Sequence, residues 1–96
     1  MISSFRDRGT EAIFDGRDNK SARRVLPVEL HPRAARLLDR LDSAVSPQSL
    51  SAPGLRLEKL KGARAGQYSL RINDQYRVCF RWSEQGIEEV EIVDYH

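Results

Sequence analysis

The chain has 96 residues, of which 40% are hydrophobic and 31% are charged, and this composition predicts one globular domain over residues 1–96. No apolar run approaches the roughly 20 residues of a membrane-spanning helix, and the first residues do not resemble a secretory signal. We therefore expect a soluble cytoplasmic protein without a membrane partner. The single cysteine, Cys79, excludes an internal disulfide bond and a cysteine-rich zinc site.

The net charge is only +2, but the charges are unevenly distributed along the chain. Arginine accounts for thirteen of the sixteen basic residues. Its planar guanidinium binds phosphate oxygens in pairs, although an arginine bias also arises in GC-rich genomes. Residues 54–81 contain seven basic and two acidic residues, a net charge of +5, whereas residues 82–96 contain five acidic residues and no lysine or arginine, a net charge of −5. This asymmetry indicates a polyanionic partner.

The first half of the chain shows helical patterns separated by polar turns. We expect a short edge strand at residues 2–5, a short helix at residues 10–14 and a polar loop at residues 15–21. The clearest helix covers residues 32–44, because Pro32 suits a first helical turn and apolar residues then recur at intervals of three and four. The apolar stripe of this helix consists of Ala34, Leu37, Leu38 and Leu41.

The second half of the chain alternates apolar and polar residues with the period of a β-strand. This alternation predicts strands at residues 55–60, 67–72, 75–82 and 87–95, with a glycine-bracketed basic loop at residues 61–66. Helices followed by a meander of strands indicate an α+β fold, in which the helices pack on one face of a mostly antiparallel sheet.

The same alternation gives the predicted sheet an apolar face and an arginine face. The apolar face has three aromatic residues, whose spacing favours core packing over a base-stacking platform; they are Tyr76, Phe80 and Trp82. The other face has three arginines and is either a groove for RNA phosphates or a solvated surface. These arginines are Arg71, Arg77 and Arg81. In the alternation of the last strand, Tyr95 falls on the side opposite the core residues Val90 and Ile92, so we expect it to remain accessible to a base.

The residues that carry chemistry form no metal-binding or nucleotide-binding motif. The two histidines, His31 and His96, are sixty-five residues apart without a carboxylate cluster around them, and no glycine-rich phosphate loop occurs. We interpret His31 as a helix-entry residue, whereas His96 is either an idle terminal residue or a titrating group beside Asp94. The remaining lysine, arginine, aspartate, tyrosine and histidine side chains suit metal-free cleavage of RNA through its own 2′-hydroxyl group.

Five segments follow one another in an order and at spacings that resemble a known family. They are I-x-S-F from Ile2, P-G-L-R-L-x-x-L-K-G from Pro53, G-Q-Y-S-L-R-I from Gly66, Y-R-V-x-F from Tyr76 and V-D-Y-H from Val93. Each segment alone is weak, but the five together cover nearly the whole chain. In this combination the sequence is similar to the HigB-type toxins of the RelE superfamily.

The resemblance implies a fold, an activity and partners. The fold would be the RelE-like microfold, with two or three N-terminal helices on one face of a four- to five-stranded sheet. The activity would be ribosome-dependent cleavage of messenger RNA without a metal or cofactor. The partners would be the ribosome, its mRNA and a HigA-type antitoxin with a helix-turn-helix, through which the toxin contacts operator DNA only indirectly.

The resemblance also implies site residues. Lys61 corresponds to the family's catalytic lysine, Arg77 to its strand arginine, and Asp94, Tyr95 and His96 to its C-terminal catalytic trio. We expect His96, oriented by Asp94, to transfer a proton, Arg77 and Lys61 to hold the scissile phosphate, and Tyr95 to orient an mRNA base. Further phosphate contacts are expected from Arg56, Lys59, Arg64, Arg71 and Arg81.

One residue departs from the family pattern. Many relatives have a histidine three residues before the lysine, where this chain has Glu58. A carboxylate there repels RNA phosphate, so cleavage would be slower or more dependent on Asp94 and His96. The alternative is a non-catalytic toxin, of the ParE kind or a relic, that acts by protein binding and as co-repressor with its antitoxin. The retained Lys61, Arg77 and His96 favour the enzyme.

Overall fold

The computed structural model describes residues 1–95, with the helices in the first half of the chain and the strands in the second. Within these residues the α-helices are α1 (Arg8–Phe14), α2 (Lys20–Val25) and α3 (His31–Ser43). The strands are β1 (Glu58–Lys59), β2 (Gln67–Arg71), β3 (Tyr76–Ser83) and β4 (Gly86–Asp94). The predicted α+β class, with three helices and a four-stranded antiparallel sheet, is confirmed.

The first two helices begin at side-chain caps. Asp7 accepts a hydrogen bond from the Thr10 backbone N–H at 2.6 Å, and Asn19 accepts one from the Ala22 N–H at 2.9 Å. Such caps satisfy backbone donors that have no partner inside the helix. The prediction of a polar loop over residues 15–21 is therefore wrong for its last residues, because Asn19 caps α2 and the helix starts at Lys20.

Helix α3 covers the sheet with the predicted apolar stripe. Ala34, Leu38 and Leu41 are fully buried and Leu37 nearly so. They belong to one core with residues from β2, β3 and β4, among them Leu70, Val78, Phe80 and Ile92. Each buried leucine contributes about 1.5–3 kcal/mol of hydrophobic stabilisation. No helix in residues 1–95 is long and apolar enough to cross a membrane.

The sheet is a meander in the order β1-β2-β3-β4, with every neighbouring pair antiparallel. Arg71 on β2 lies directly opposite Arg77 on β3. A β-bulge interrupts the pairing of β3 with β4, where Glu89 adopts a positive φ of 53°. The extra residue lets both Ile87 and Val90 face the core, although they are three positions apart.

Two predicted strands differ from the structure. Residues 2–5 form no strand and instead make isolated parallel bridges from Ile2 to Ile87 and from Phe5 to Val90. The predicted strand at residues 55–60 is wrong in its first half, because Pro53–Leu55 is a 3₁₀ turn and Arg56 has a left-handed φ of 47°. That conformation interrupts the extended backbone, so β1 starts only at Glu58.

Candidate active site

Arg77 is held on the face of the sheet opposite the helices by residues of β2 and β1. Its Nη1 donates to the Ser69 Oγ at 3.0 Å, and its Nη2 donates to the Glu58 Oε1 at 3.1 Å. The strand register explains both contacts, because Glu58 lies opposite Ser69, and Ser69 lies opposite Cys79, two residues from Arg77 on the same face of β3. Only 14% of the Arg77 side chain is exposed. The guanidinium is thus fixed before any ligand arrives.

Tyr95 packs against the same guanidinium. The Cζ of Arg77 lies 5.0 Å from the centre of the Tyr95 ring, within the range of a cation–π contact. The Tyr95 N–H donates to the Gln75 carbonyl at 2.7 Å, which continues the β3–β4 ladder past Asp94. Tyr95 remains 40% exposed, so its predicted accessibility is confirmed.

Asp94 follows a different phase of the strand from Tyr95. It lies opposite Tyr76, on the phase of the core residue Ile92, and accepts a hydrogen bond from the Gln75 Nε2 at 3.1 Å. Asp94 and Tyr95 are consecutive residues, so within residues 1–95 they occupy opposite phases of the last strand. His96, and with it the predicted Asp94–His96 pair, lies outside the described residues.

Three predicted cations at the β1 edge are exposed. They are Arg56, Lys59 and Lys61. None forms an ion pair with another residue of the described chain. Lys61 precedes a 3₁₀ turn at Gly62–Arg64 in which Gly62 has a φ of 65°, a conformation that glycine adopts without strain. The Arg56 carbonyl accepts a long 3.5 Å hydrogen bond from Arg77, so Arg56 adjoins the Arg77 site, whereas Lys61 follows the end of β1 that pairs with the start of β2.

The remaining predicted phosphate-binding arginines each carry a carboxylate partner. The pairs are Arg64 with Glu91 at 2.9 Å, Arg81 with Glu89 at 2.7 Å, and Arg71 with Asp74. The hydrogen bond and charge of Arg71 lower the pKa of Asp74. Antiparallel pairing thus brings the acidic last strand onto the basic segment, and RNA would have to displace carboxylates to reach these arginines.

Cys79 and His31 take the positions that the sequence predicts for them. Cys79 lies on the arginine side but is fully buried, and burial raises the pKa of its thiol. It therefore stays protonated and unreactive near neutral pH. The His31 Nε2 lies 2.9 Å from the Leu26 carbonyl, at the entry to α3.

Residues 3–96 match a protein-family model that is described as the RelE-like toxin of the type II toxin–antitoxin system HigB. The chain belongs to the HigB-like toxin family. One relative, Toxin HigB-1 of Vibrio cholerae serotype O1, is 35% identical over 83 residues, which cover 85% of this chain and 84% of the relative. Another, Endoribonuclease HigB of Proteus vulgaris, is 26% identical over 96 residues and 100% of both chains.

Solved structures support the same fold for this HigB-like toxin. A toxin in a YoeB-YefM complex from Staphylococcus aureus superimposes with a TM-score of 0.61 at 18% identity, covering 100% of this chain and 98% of that one. A heterotetrameric YoeB-YefM complex from the same organism gives 0.60 at 18% identity with the same coverage. Helices on a four-stranded antiparallel sheet therefore form the expected RelE-like microfold.

Two residues that contact the HigB-like site, Ser69 and Gln75, are absent from the predicted site. Ser69 bonds to Arg77, and Gln75 bonds to both Asp94 and Tyr95. Ser69 has the same strand phase as Arg71, which could have indicated that it faces the arginine side. Gln75 carried no such signal, since its role depends on the register of β4 against β3.

Proposed function

We propose that this HigB-like toxin is a ribosome-dependent endoribonuclease that cleaves messenger RNA without a metal or cofactor. The observation that carries the proposal is the Arg77 guanidinium, which Ser69 and Glu58 hold and Tyr95 stacks upon at the surface. A preorganised cation of this kind stabilises charge that develops on a phosphate in the transition state. The full-length similarity to a relative named Endoribonuclease HigB also supports RNA as the substrate.

The proposed reaction is a transesterification. The 2′-oxygen of RNA attacks the adjacent phosphorus, and the bond from phosphorus to the 5′-oxygen breaks. A base takes the 2′-hydroxyl proton, an acid gives a proton to the departing 5′-oxygen, and the products are a 2′,3′-cyclic phosphate and a 5′-hydroxyl end. Arg77 and Lys61 hold the negatively charged phosphorane.

Glu58 is the proposed proton acceptor. Its pair with Arg77 is open to solvent on the Glu58 side, where 49% of the side chain is accessible, and only 14% of the Arg77 side chain is exposed. A scissile phosphate can replace Glu58 on the guanidinium, because its own negative charge then compensates Arg77. The Glu58 carboxylate, released from Arg77, is then free to accept the proton of the 2′-hydroxyl.

His96, oriented by Asp94, is the proposed group that returns a proton to the 5′-oxygen, and Tyr95 stacks on an mRNA base. The exposed ring of Tyr95 supports its role, because an aromatic face beside a cation suits an unpaired base. We further propose that the toxin acts in the cytoplasm and is neutralised by a HigA-type antitoxin, which carries the contact with operator DNA.

The test maps new 5′ ends of mRNA on translating ribosomes. Wild-type toxin is compared with Lys61→Ala, Arg77→Ala, Asp94→Ala and His96→Ala, and Arg24→Ala on α2 is the matched control for loss of one exposed cation. We expect cleavage by the wild type and by the control, and strong losses in the four site variants. Growth arrest by the wild type without new ends would overturn the proposal.

A non-catalytic toxin of the ParE kind or a relic is the second candidate. The observation that favours it is the ion pair of Arg77 with Glu58, which neutralises the main cation of the site in the unbound protein. This candidate predicts that Arg77→Ala arrests growth as strongly as the wild type. The same ribosome experiment separates the two functions.

A further inference from the structure

A groove of about 430 Å³ lies between α3, the 3₁₀ turn at Pro53–Leu55 and the end of β2. We call it the α3 groove. Four arginines and four other residues line it, namely Arg33, Arg36, Arg40, Arg71, Leu37, Gly54, Leu55 and Ile72. No acidic side chain is among them. The three arginines of α3 recur at intervals of three and four, so they occupy one side of the helix.

The charge of the α3 arginines is not compensated. Neither Arg33, Arg36 nor Arg40 forms an ion pair anywhere in residues 1–95, although strand arginines do so repeatedly. The Arg33 Nη1 donates to the Ile72 carbonyl at 3.2 Å, which holds this side chain across the groove toward the sheet. Arg36 and Arg40 are exposed. The groove is thus a concentrated positive surface in the unbound toxin.

Two of the three large apolar side chains that line the groove are buried, and the third, Leu55, is only partly exposed. Leu37 and Ile72 are only 7% and 2% exposed. The exposed large apolar residues of the described chain lie elsewhere and are Met1, Val28, Val45 and Tyr95. An amphipathic peptide helix needs apolar pockets for its anchors, whereas a sugar-phosphate backbone needs a row of guanidinium groups. The lining therefore favours a nucleic-acid strand over an acidic peptide.

Arg71 connects the groove to the proposed active site. It lines the groove and also lies directly opposite Arg77 in the β2–β3 pair, where facing Cα atoms are about 5 Å apart. From Arg33 to Arg40 the row extends about 10 Å along the helix axis. A strand that continues from the phosphate at Arg77 past the end of β2 thus meets Arg71, whose ion pair with Asp74 it displaces, and then the α3 arginines.

We infer that the α3 groove binds the phosphate backbone of an RNA strand continuing beyond the cleavage site. The inference rests on the proposed function in taking this strand to be the substrate. Binding is nevertheless measured without cleavage. A short 2′-O-methyl RNA retains the phosphates and lacks the attacking hydroxyl, so it reports on binding without cleavage, and the groove variants isolate the contribution of the α3 groove.

The experiment measures the affinity of the toxin for fluorescein-labelled 2′-O-methyl RNA over a range of salt concentrations. The test variant carries Arg33→Ala, Arg36→Ala and Arg40→Ala. The matched control carries Arg8→Ala, Lys20→Ala and Arg24→Ala, which removes the same charge from exposed positions of α1 and α2. Because Arg33 bonds to the sheet, a second variant with only Arg36→Glu and Arg40→Glu is tested, and circular dichroism verifies folding.

We expect the test variant to bind at least about tenfold more weakly than the control, and the slope of log affinity against log salt to fall by about 2. The charge-reversed variant should weaken binding further. Equal affinities and slopes for test and control variants would overturn the inference, and so would a test variant that loses only its binding to an acidic antitoxin peptide. Wild-type toxin that binds this RNA but never cleaves mRNA on ribosomes would instead overturn the proposed function.

Discussion

Arg77 shows how one side chain acquires a defined orientation from three directions. The hydroxyl of Ser69, the carboxylate of Glu58 and the ring of Tyr95 each fix a different part of the guanidinium. A planar fork with several fixed donors is well suited to a phosphate that gains charge during the reaction. Lysine keeps the charge at this position but not the geometry.

We therefore predict that Arg77→Lys lowers the single-turnover rate of mRNA cleavage on ribosomes by about 10²- to 10³-fold, the usual effect of removing a preorganised donor. Arg81→Lys is the control, because it makes the same change on the same strand at a residue paired with Glu89. A rate for Arg77→Lys within a few-fold of this control would show that the fork geometry is unimportant.

Glu58 is the residue at which this chain departs from the family pattern. If its carboxylate accepts the 2′-hydroxyl proton, Glu58→Gln should lower the cleavage rate although it removes a charge that repels RNA. Glu58→His should restore cleavage with a rise near pH 6.5, where an ordinary imidazole loses its proton. The measurement is the cleavage rate on ribosomes between about pH 5.5 and 7.5. Faster cleavage by Glu58→Gln than by the wild type would contradict the role of Glu58 as base.

Arg71 controls the ionisation of Asp74, whose pKa is lowered mainly by their hydrogen bond. Arg71→Ala should therefore raise the Asp74 pKa toward the ordinary aspartate value of about 3.9, as followed by NMR of the carboxyl carbon. Because the folded-state pKa is lowered, this pair stabilises the fold above that ordinary value and loses its effect as pH falls through the folded-state pKa. Arg81→Ala, whose partner is Glu89, should leave the Asp74 titration unchanged.

At the scale of elements, helices and strands are predicted best from the sequence where apolar residues keep one regular spacing over the whole element. The leucine stripe of α3 and the alternation in β2 and β3 lead to the correct elements, because burial on one side leaves a regular pattern. Helix α2 was missed, since Asn19 is equally typical of a loop and of a helix cap. The late start of β1 depends on the left-handed backbone conformation of Arg56, which the conformational preferences of arginine do not predict.

Helices α1 and α2 approach closely at Gly9. A Cβ atom added there would contact the Ser21 carbonyl oxygen and lie 2.8 and 2.9 Å from the two methyl groups of Val25. Gly→Ala in a helix normally stabilises by about 1 kcal/mol, but here the clash should reverse the sign. We predict that Gly9→Ala lowers the free energy of unfolding in urea by about 1–3 kcal/mol, the usual cost of overpacking.

The control for this prediction is Gly54→Ala, because an added Cβ at Gly54 meets no atom within 4 Å and its φ is not positive. Its free energy of unfolding should match or slightly exceed that of the wild type. Stabilisation of the toxin by Gly9→Ala would show that the two helices separate easily and that Gly9 is not required for their packing.

At the scale of the whole molecule, charge counted along the sequence differs from charge on the surface. The sequence segregates a basic segment from an acidic one, but the antiparallel sheet places Glu89 and Glu91 against Arg81 and Arg64. Within residues 1–95, the cations of α3 and of the β1 edge are instead among those without an ion pair. The sequence indicates Arg77, Glu58 and Tyr95, yet the location of unpaired charge depends on strand register, which alternation alone does not fix.

The two edges of the sheet limit the pairing of this toxin with strands of other chains. Residues Ile2 and Phe5 occupy the outer side of β4, while the opposite border consists of the two-residue strand β1. Neither edge of the sheet offers a long row of unpaired amide and carbonyl groups, so edge-to-edge pairing between the sheets of two molecules is disfavoured. A chain with this much exposed arginine can therefore be concentrated without building fibrils, provided that its N-terminal residues stay docked.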